Sequence, residues 1–301
     1  MLDVLVDSLL RAAQLSLLAV GLTLVYSLLR FPNFAHVEFA VVGAYIALLM
    51  VAVTGMPILP AAVVALLLTG CVGWLVDRVI FLRLRSTTPI LMMIASFGLG
   101  LALRETVRAI AGSSARTYPT GLQTPYEVFG VFITPIQITI LVVAAVMMLM
   151  FYLLLKLTQL GVAMRATADN PRLAEASGIY TERIIGVVWF IGAALAGLAG
   201  VLIALDTQLH PQLGFGIIIP VFCAAIMGGI GNPYGAALGA LVIGFAENLG
   251  LFIDWSPLAA PLGYDGGALH IPTGYRDAIP FVLLIAVLLL RPQGILGERT
   301  D

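Results

Sequence analysis

The sequence predicts an all-α polytopic membrane protein with about eight to nine transmembrane or partly spanning helices. Of its 301 residues, 61% are hydrophobic and only 10% are charged, and the mean hydropathy is +1.07. Soluble domains carry roughly a quarter charged residues. Apolar runs recur along the chain, each about as long as the ~20 residues that a helix needs to cross ~30 Å of hydrocarbon. None alternates apolar and polar residues with a period of two, as a membrane β-strand would.

Nine apolar runs account for most of the chain. They lie near residues 9–29, 34–53, 60–82, 90–111, 136–157, 184–205, 216–227, 234–253 and 275–290. The seventh and ninth runs are short, which predicts tilted, re-entrant or partly spanning helices. The first run follows Asp3 and Asp7, where a cleaved signal peptide would be basic, so we expect it to stay in the membrane.

The orientation follows from the basic residues, because cytoplasmic loops are enriched in Lys and Arg. Loops assigned alternately to the two sides place on one side Arg30, Arg78, Arg83, Arg85, Lys156, Arg165, Arg172, Arg183, Arg291 and Arg299. The other side receives Arg11, Arg104, Arg108, Arg116 and Arg276. The richer side is predicted to be cytoplasmic, which gives an external N-terminus and a cytoplasmic C-terminus.

Several classes of function are disfavoured. No linker or soluble domain is evident, so we expect residues 1–301 to form one membrane domain. No basic cluster lies outside the membrane boundaries, which argues against a nucleic-acid partner. Cys71 and Cys223 lie alone in apolar runs, where thiols behave as small buried hydrophobes, so we expect neither a disulfide nor a metal site. No cofactor is expected.

The first polar interruption reads FPNFAHVEFAVVGAY. Pro32 lacks a backbone N–H and Asn33 favours caps, so one helix should end here and another begin at Asn33, at the cytoplasmic mouth of a path. His36 and Glu38 point about 200° apart on the new helix and do not form one cluster. A carboxylate in hydrocarbon must face protein or water. Glu38 therefore lines a path or makes a structural hydrogen bond, in which case Glu38→Gln should retain most transport; His36 is expected to be structural.

A second interruption reads MGGIGNPYGAALGALVIGFAENLG. Gly229 loosens the backbone, Asn232 can cap a helix, and Pro233 suits a first helical turn. The following helix ends in the polar residues Glu247 and Asn248. The two interruptions suggest an internal repeat, and transporters commonly place their path between such repeats.

Small residues recur at a spacing of four on two predicted helices. They are Gly231, Gly235 and Gly239, and Gly192, Ala196 and Gly200. This spacing lets a neighbouring helix approach closely, so we expect packing surfaces rather than contacts with a solute.

The loop of residues 158–183 contains a short capped helix. Asn170 or Asp169 suits the N-cap, Pro171 the first helical position and Gly178 the residue after the end. The inner positions Ala174, Ala176 and Ser177 are small, which favours insertion into a groove of another protein over a plain interfacial turn.

Four blocks carry a resemblance to a known family. FPNFAHVEFAVVGAY, LGVAMRATADNPRLAEASGI, AAIMGGIGNPYGAALGALVIGFAENL and RPQGILG, in this order and spacing, resemble the H-type permease subunit of branched-chain amino acid ABC importers. The resemblance covers nearly the whole chain. It implies a bacterial inner-membrane location, a homologous second permease, two cytoplasmic ATPases and an extracytoplasmic binding protein.

The resemblance also implies that the segment around residues 165–178 docks on an ATPase. The residues assigned to this coupling are Arg165, Ala166, Asn170, Pro171, Ala174, Glu175 and Gly178. Ala174→Arg should then abolish solute-stimulated ATP hydrolysis, and Gly178→Val should act similarly. The chain departs from the family where Val37 replaces a usual glycine and Val162 a usual arginine.

The function expected is to house a solute path that partner ATPases open and close. The chain itself has no GxxxxGK[ST] loop, so ATP hydrolysis is expected on separate subunits. Branched-chain or related amino acids are the expected solutes, with urea or short amides as an alternative. A second alternative is an ion-coupled carrier in which Glu38 or Glu247 binds the driving ion. An intramembrane hydrolase is disfavoured, because His36 and Glu38 are too sparse a set for a metal.

Overall fold

The computed structural model describes residues 2–121, 123–128, 130–259, 261, 268–291 and 293–297. Arg299, which entered the orientation argument, and Pro292 of the closing RPQGILG block lie outside the described residues.

Helices form nearly all of the regular structure. In the first half they are α1 (Leu2–Leu29), α2 (His36–Thr54), α3 (Ile58–Val76), α4 (Leu82–Leu84), α5 (Pro89–Ala111) and α6 (Pro135–Leu157). In the second half they are α7 (Gln159–Asp169), α8 (Pro171–Ala176), α9 (Thr181–Asp206), α10 (Leu213–Gly228), α11 (Pro233–Phe252), α12 (Ser256–Ala259) and α13 (Ala278–Leu290). A π-helical turn at Asp77–Phe81 joins α3 to α4, and a 3₁₀ turn lies at Thr273–Tyr275.

Seven of the described helical segments are long and apolar enough to cross a membrane, with α3 and α4 counted as one segment. The prediction of an all-α polytopic membrane protein is confirmed. The two runs predicted to be short form α10 and α13, which remain below spanning length by the same measure.

Two elements differ from the sequence prediction. Strands β1 (Tyr126–Val128) and β2 (Val131–Ile133) form an antiparallel hairpin between α5 and α6, where only a loop was expected. The expected loop before the short capped helix is itself helical and forms α7. Both elements lie between the spanning helices, where hydrophobic periodicity carries little information.

The basic residues and cysteines also depart from expectation. Arg11 lies inside α1, and Arg104 and Arg108 lie inside α5, so three residues assigned to external loops belong to spanning helices. Cys71 is exposed on the outside of the bundle, whereas Cys223 is buried as predicted. An exposed thiol on an apolar helix still behaves as a small hydrophobe.

The bundle is centred on α1 and α9. In an apolar 18-residue stretch of each helix, 72% of the residues are buried in α1 and 83% in α9. The corresponding shares are 17% in α5 and 22% in α6. Helix α9 packs on α1, α2 and α3, while α1 also packs on α11. Helices α5 and α6 therefore lie at the periphery of the helix bundle.

The small residues serve as close helix contacts. A Cβ added at Gly43 would lie 2.6 Å from the Gly197 carbonyl oxygen, and one at Gly192 would lie 3.1 Å from the Gly21 carbonyl oxygen. A Cβ added at Gly239 would overlap the carbonyl oxygen of Ala224. This geometry supports the packing interpretation of the stripes, because backbone lies where a solute would have to sit.

Candidate translocation path and coupling segment

Helix α2 begins deep in the bundle. The His36 ring lies 3.1 Å from the carbonyl oxygen of Leu18, eleven residues before the end of α1. At 1.5 Å per residue this corresponds to roughly 16 Å along α1, about half of the hydrocarbon thickness. On the other side, the Phe34 amide donates to the hydroxyl of Ser96, seven residues after the start of α5, 3.1 Å away. Residues 31–35 therefore run inward from the end of α1 before α2 starts, and the position of this start at the mouth of a path stays a prediction.

Asn33 acts just before the helix rather than as its cap. Its Oδ1 accepts a hydrogen bond from the Ala35 amide at 3.2 Å, and α2 starts at His36 with Ala35 in the cap position. The predicted start at Asn33 is three residues early. Asn33 is nevertheless buried, and its Nδ2 has no hydrogen-bond partner among the described residues.

His36 joins α2 to α1. Its Nε2 makes the contact with Leu18, and a Cβ added at Gly21 would lie 2.9 Å from the ring. The imidazole thus fills the space that a glycine leaves on α1, which supports the structural interpretation of this residue. The neighbouring Val37 is fully buried, so the packing accommodates its side chain where the family usually has glycine.

Glu38 points away from His36 and meets Arg104 of α5. Its Oε1 lies 3.9 Å from Arg104 Nε, and its side chain is 5% exposed. Glu38 Oε2 and Arg104 Nε have no hydrogen-bond partner in the described part of the chain. Sequence reasoning missed Arg104 because it was counted as a loop residue; an arginine inside an apolar run was the available signal.

The outer face of α5 carries further charges. Glu105 and Arg108 form an ion pair of 3.5 Å, with side chains 59% and 52% exposed. Charged side chains in a spanning helix face protein or water rather than lipid tails. The exposed face of α5 is therefore suited to a partner subunit or to an aqueous path.

The second interruption is a capped helix start, as predicted. Asn232 Oδ1 accepts hydrogen bonds from the amides of Tyr234 at 3.0 Å and Gly235 at 3.2 Å. Pro233 is the first residue of α11, and Gly229 ends α10 with φ of 112°.

The RPQGILG block closes this interruption. The amides of Ile295 and Leu296 donate to the carbonyl oxygens of Met227 at 2.8 Å and Gly228 at 3.0 Å. Asn232 Nδ2 returns a hydrogen bond to the Leu296 carbonyl at 3.0 Å. The closing segment thus satisfies carbonyl groups at the end of α10 that the helix leaves free. Sequence reasoning used this block only for the resemblance.

Gly294→Val is expected to destabilise the folded chain by about 3 kcal/mol, because φ of +79° is strained for a β-branched residue and the added carbon would lie 2.7 Å from the Gly229 amide. The measurement is the apparent Tm of the purified protein in detergent. Gly274→Val is the matched control, since nothing lies within 4 Å of a Cβ added there. Equal Tm values for the two variants would contradict the closing role.

Glu247 and Asn248 belong to an ionic cluster far along α11 from the interruption. Glu247 Oε2 accepts from Arg11 Nε at 2.8 Å and from Arg276 Nε at 3.3 Å, and its side chain is 0% exposed. Arg276 Nη2 also donates to Asn248 Oδ1 at 3.0 Å. These contacts tie α1, α11 and the segment before α13 together, which favours an anchoring role over the predicted role in the path.

The short helix α8 has the predicted caps. Asn170 Oδ1 accepts from the Leu173 amide at 3.1 Å, and Pro171 is the first helical residue. Gly178 follows the end of the helix with φ of +85°, so the predicted left-handed conformation is confirmed.

Two arginines hold α7. Arg165 donates to the Leu155 carbonyl near the end of α6, and Arg30 donates to the Ala168 carbonyl near the end of α7 at 3.1 Å. A cation at a helix C-terminus is stabilised by the helix dipole. Arg165 thus joins α7 to the end of α6.

Two contacts hold the far end of α8. The Thr181 hydroxyl donates to Glu175 Oε1 at 2.5 Å. Arg85 joins the next residue, Glu182, to the fully buried Asp77, whose carboxylate oxygens lie 2.5 and 2.7 Å from Arg85 Nη2. Asp77 belongs to the π-helical turn and Glu182 to the first turn of α9, so the start of α9, which bonds Glu175 of α8 through Thr181, is joined to the end of α3.

The exposed surface of α8 differs from the one assumed from sequence. Ala174 is 4% exposed and faces the protein, whereas Leu173 is 64% exposed and Tyr180 is 71% exposed. An arginine at position 174 would disturb the packing of α8 itself. Leu173, and not Ala174, is therefore the side chain of α8 that a partner could contact. Ala166 is half-buried, and Val162, where the family usually has arginine, is exposed.

The bundle of apolar helices, with its polar breaks between helices, its buried charges and the short capped helix α8, is that of a polytopic transport permease. The family described as "Branched-chain amino acid transport system / permease component" matches residues 4–288, and the chain belongs to this family.

Relatives in bacteria and archaea support the assignment. The chain is 31% identical to the high-affinity branched-chain amino acid transport system permease protein LivH of Escherichia coli, over 94% of this chain and 91% of that protein. It is 33% identical to the corresponding permease protein BraD of Pseudomonas aeruginosa, over 99% and 96%. Identity to a probable LivH of Methanocaldococcus jannaschii is 32%, over 94% and 88%.

A solved structure shares the fold. It is PsaBC from Streptococcus pneumoniae in complex with Fab, with a TM-score of 0.50 and coverage of 96% of this chain and 92% of that chain. At 12% identity this likeness concerns the fold alone.

Proposed function

We propose that this permease moves branched-chain amino acids, or close chemical relatives, across the inner membrane as part of an ATP-driven importer. The match of residues 4–288 to the permease family carries the proposal. The chain supplies the path, and ATP is hydrolysed on separate cytoplasmic subunits.

The partners proposed are a homologous second permease, two cytoplasmic ATPases and an extracytoplasmic binding protein. The exposed face of α5 carries the charged side chains of Glu105 and Arg108, and such side chains in a spanning helix need protein or water beside them. This supports a second permease that covers this face. The helix α8, fixed at both ends and exposing Leu173, supports docking of an ATPase. The binding protein is proposed from the family alone.

Reconstitution tests the function. Proteoliposomes that hold both permeases, the ATPases and the binding protein should accumulate radiolabelled leucine when ATP is supplied on the ATPase side. A proton or sodium gradient without ATP should drive no uptake. Uptake by this chain alone under an ion gradient would instead establish the ion-coupled carrier. ATP-driven uptake of labelled urea or a labelled short amide, with no uptake of leucine, would establish the alternative solutes.

The proposed orientation has the N-terminus outside and the C-terminus in the cytoplasm. In a background in which Cys71 and Cys223 are replaced by alanine, Gln123→Cys should react with an impermeant thiol reagent added to intact cells. Ala176→Cys on α8 should react only after the membrane is opened. The reverse labelling pattern would overturn the orientation derived from Lys and Arg.

A further inference from the structure

The pair Glu38 and Arg104 differs from the other buried ion pairs of the described chain. Arg11 meets Glu247 at 2.8 Å, and Arg85 meets Asp77 at 2.5 Å, so these charges are joined by direct hydrogen bonds. Glu38 and Arg104 stay 3.9 Å apart, beyond hydrogen-bond distance. Glu38 Oε2 and Arg104 Nε are buried without a hydrogen-bond partner in the described residues, as are Glu247 Oε1 and Arg85 Nε of the other two pairs, so the distance is what sets this pair apart.

An open buried pair is costly unless something completes it. A buried charge is tolerated when it is paired and its remaining hydrogen-bonding positions are filled. Glu38 Oε2 fills the space over Gly214, where an added Cβ would lie 2.8 Å from it, so α10 holds this oxygen in place. Oε1 faces Arg104 and makes no hydrogen bond with the described residues, which leaves it as the atom that a ligand can reach.

The surrounding backbone favours negative charge at this place. Glu38 lies in the first turn of α2, and Gly214 lies in the first turn of α10, so two helix N-termini converge here. Neither N-terminus has a side-chain cap. Helix N-termini stabilise anions, and Arg104 adds a full positive charge. A second carboxylate can therefore be accommodated beside that of Glu38.

The pair can be reached from the outer face of the chain. The Arg104 guanidinium lies over the Phe215 ring, 5.2 Å from its centroid, and this ring is 58% exposed. Phe97 and Leu101 lie on the same face of α5 as Arg104, by helical spacing, and are also exposed. This surface offers apolar contact for an aliphatic side chain beside the two charges.

We propose that Glu38 and Arg104 bind the zwitterionic backbone of the amino acid during translocation. Glu38 accepts hydrogen bonds from the α-ammonium group, and Arg104 donates to the α-carboxylate. One carbon atom separates these two groups in an α-amino acid, so both can engage a carboxylate and a neighbouring guanidinium at once. This inference rests on the proposed function, and it favours the path alternative for Glu38 over the structural hydrogen bond.

The test compares three ligands that share one carbon skeleton. Leucine carries both groups, 4-methylpentanoic acid lacks the ammonium group, and 3-methylbutylamine lacks the carboxylate. Binding is measured by saturation-transfer NMR on the complex of both permeases and the ATPases in nanodiscs, without the binding protein. The wild-type complex should prefer leucine over each analogue by about tenfold or more, the value of one charge-assisted hydrogen bond.

Each variant should lose the preference for leucine over one of the two analogues and keep the preference over the other. Glu38→Gln should bind leucine and the acid nearly equally while still rejecting the amine, and Arg104→Gln should bind leucine and the amine nearly equally while still rejecting the acid. Both should slow ATP-driven leucine uptake about tenfold or more while the loaded binding protein still stimulates ATP hydrolysis. Glu127→Gln, at an exposed carboxylate of β1 that makes no side-chain hydrogen bond or ion pair with the described residues, is the control and should match the wild type in every readout.

A purely structural pair predicts another pattern, in which the variants weaken all three ligands by one factor or lower the Tm without changing the preference. Either result would overturn the inference, as would a wild-type complex that does not discriminate among the ligands. Failure of the proposed function is seen separately, since the wild-type importer would then accumulate no amino acid with ATP.

Discussion

Gly200→Ala is expected to leave little folded protein in the membrane. An added Cβ would overlap the carbonyl group of Ala40 and lie 2.7 Å from its Cα. The obstacle is the backbone of α2, which cannot turn aside as a side chain can. Overpacking costs typically 1–3 kcal/mol and occasionally more. This exceeds the roughly 1 kcal/mol that alanine gains over glycine in a helix.

The matched control is Gly98→Ala in α5, where nothing lies within 4 Å of the added carbon. We expect this variant to equal or slightly exceed the wild type in yield and Tm. The measurement is the monodisperse fraction after detergent extraction, followed by a thermal ramp. Normal yield and stability of Gly200→Ala would show that α2 and α9 are less closely packed than described.

Leu173→Arg is expected to abolish the stimulation of ATP hydrolysis by solute while the permease remains folded and inserted. Leu173 is the most exposed large apolar residue of α8, and a cation in an apolar groove would lose its hydration. Loss of an interface hot spot costs about 2 kcal/mol or more, which weakens docking roughly thirtyfold. The measurement is ATP hydrolysis by the reconstituted complex with and without the loaded binding protein.

Two variants make this result specific. Leu173→Met keeps an apolar side chain of similar volume and should retain stimulation. Ala174→Arg should also lose stimulation, but with a lower Tm, because Ala174 is buried against the protein. Full stimulation of Leu173→Arg would exclude the exposed face of α8 as the docking surface.

The sequence by itself determined the membrane class, the main helices and their local caps. These features depend on hydrophobic run length and on interactions between residues close in the chain. Asn232 and Pro233 begin α11, Asn170 and Pro171 begin α8, and Gly178 follows it, as predicted. Each of these contacts spans three or four residues, so local patterns were sufficient.

Only the tertiary structure decided what the polar residues meet. Arg104 lies beside Glu38, Arg11 and Arg276 beside Glu247, and the RPQGILG block against the end of α10. Helical periodicity states which residues share a face, but it does not state which helix covers that face. The inward course of residues 31–35 and the buried side of α8 likewise follow from packing between helices far apart in the chain, which no local pattern encodes.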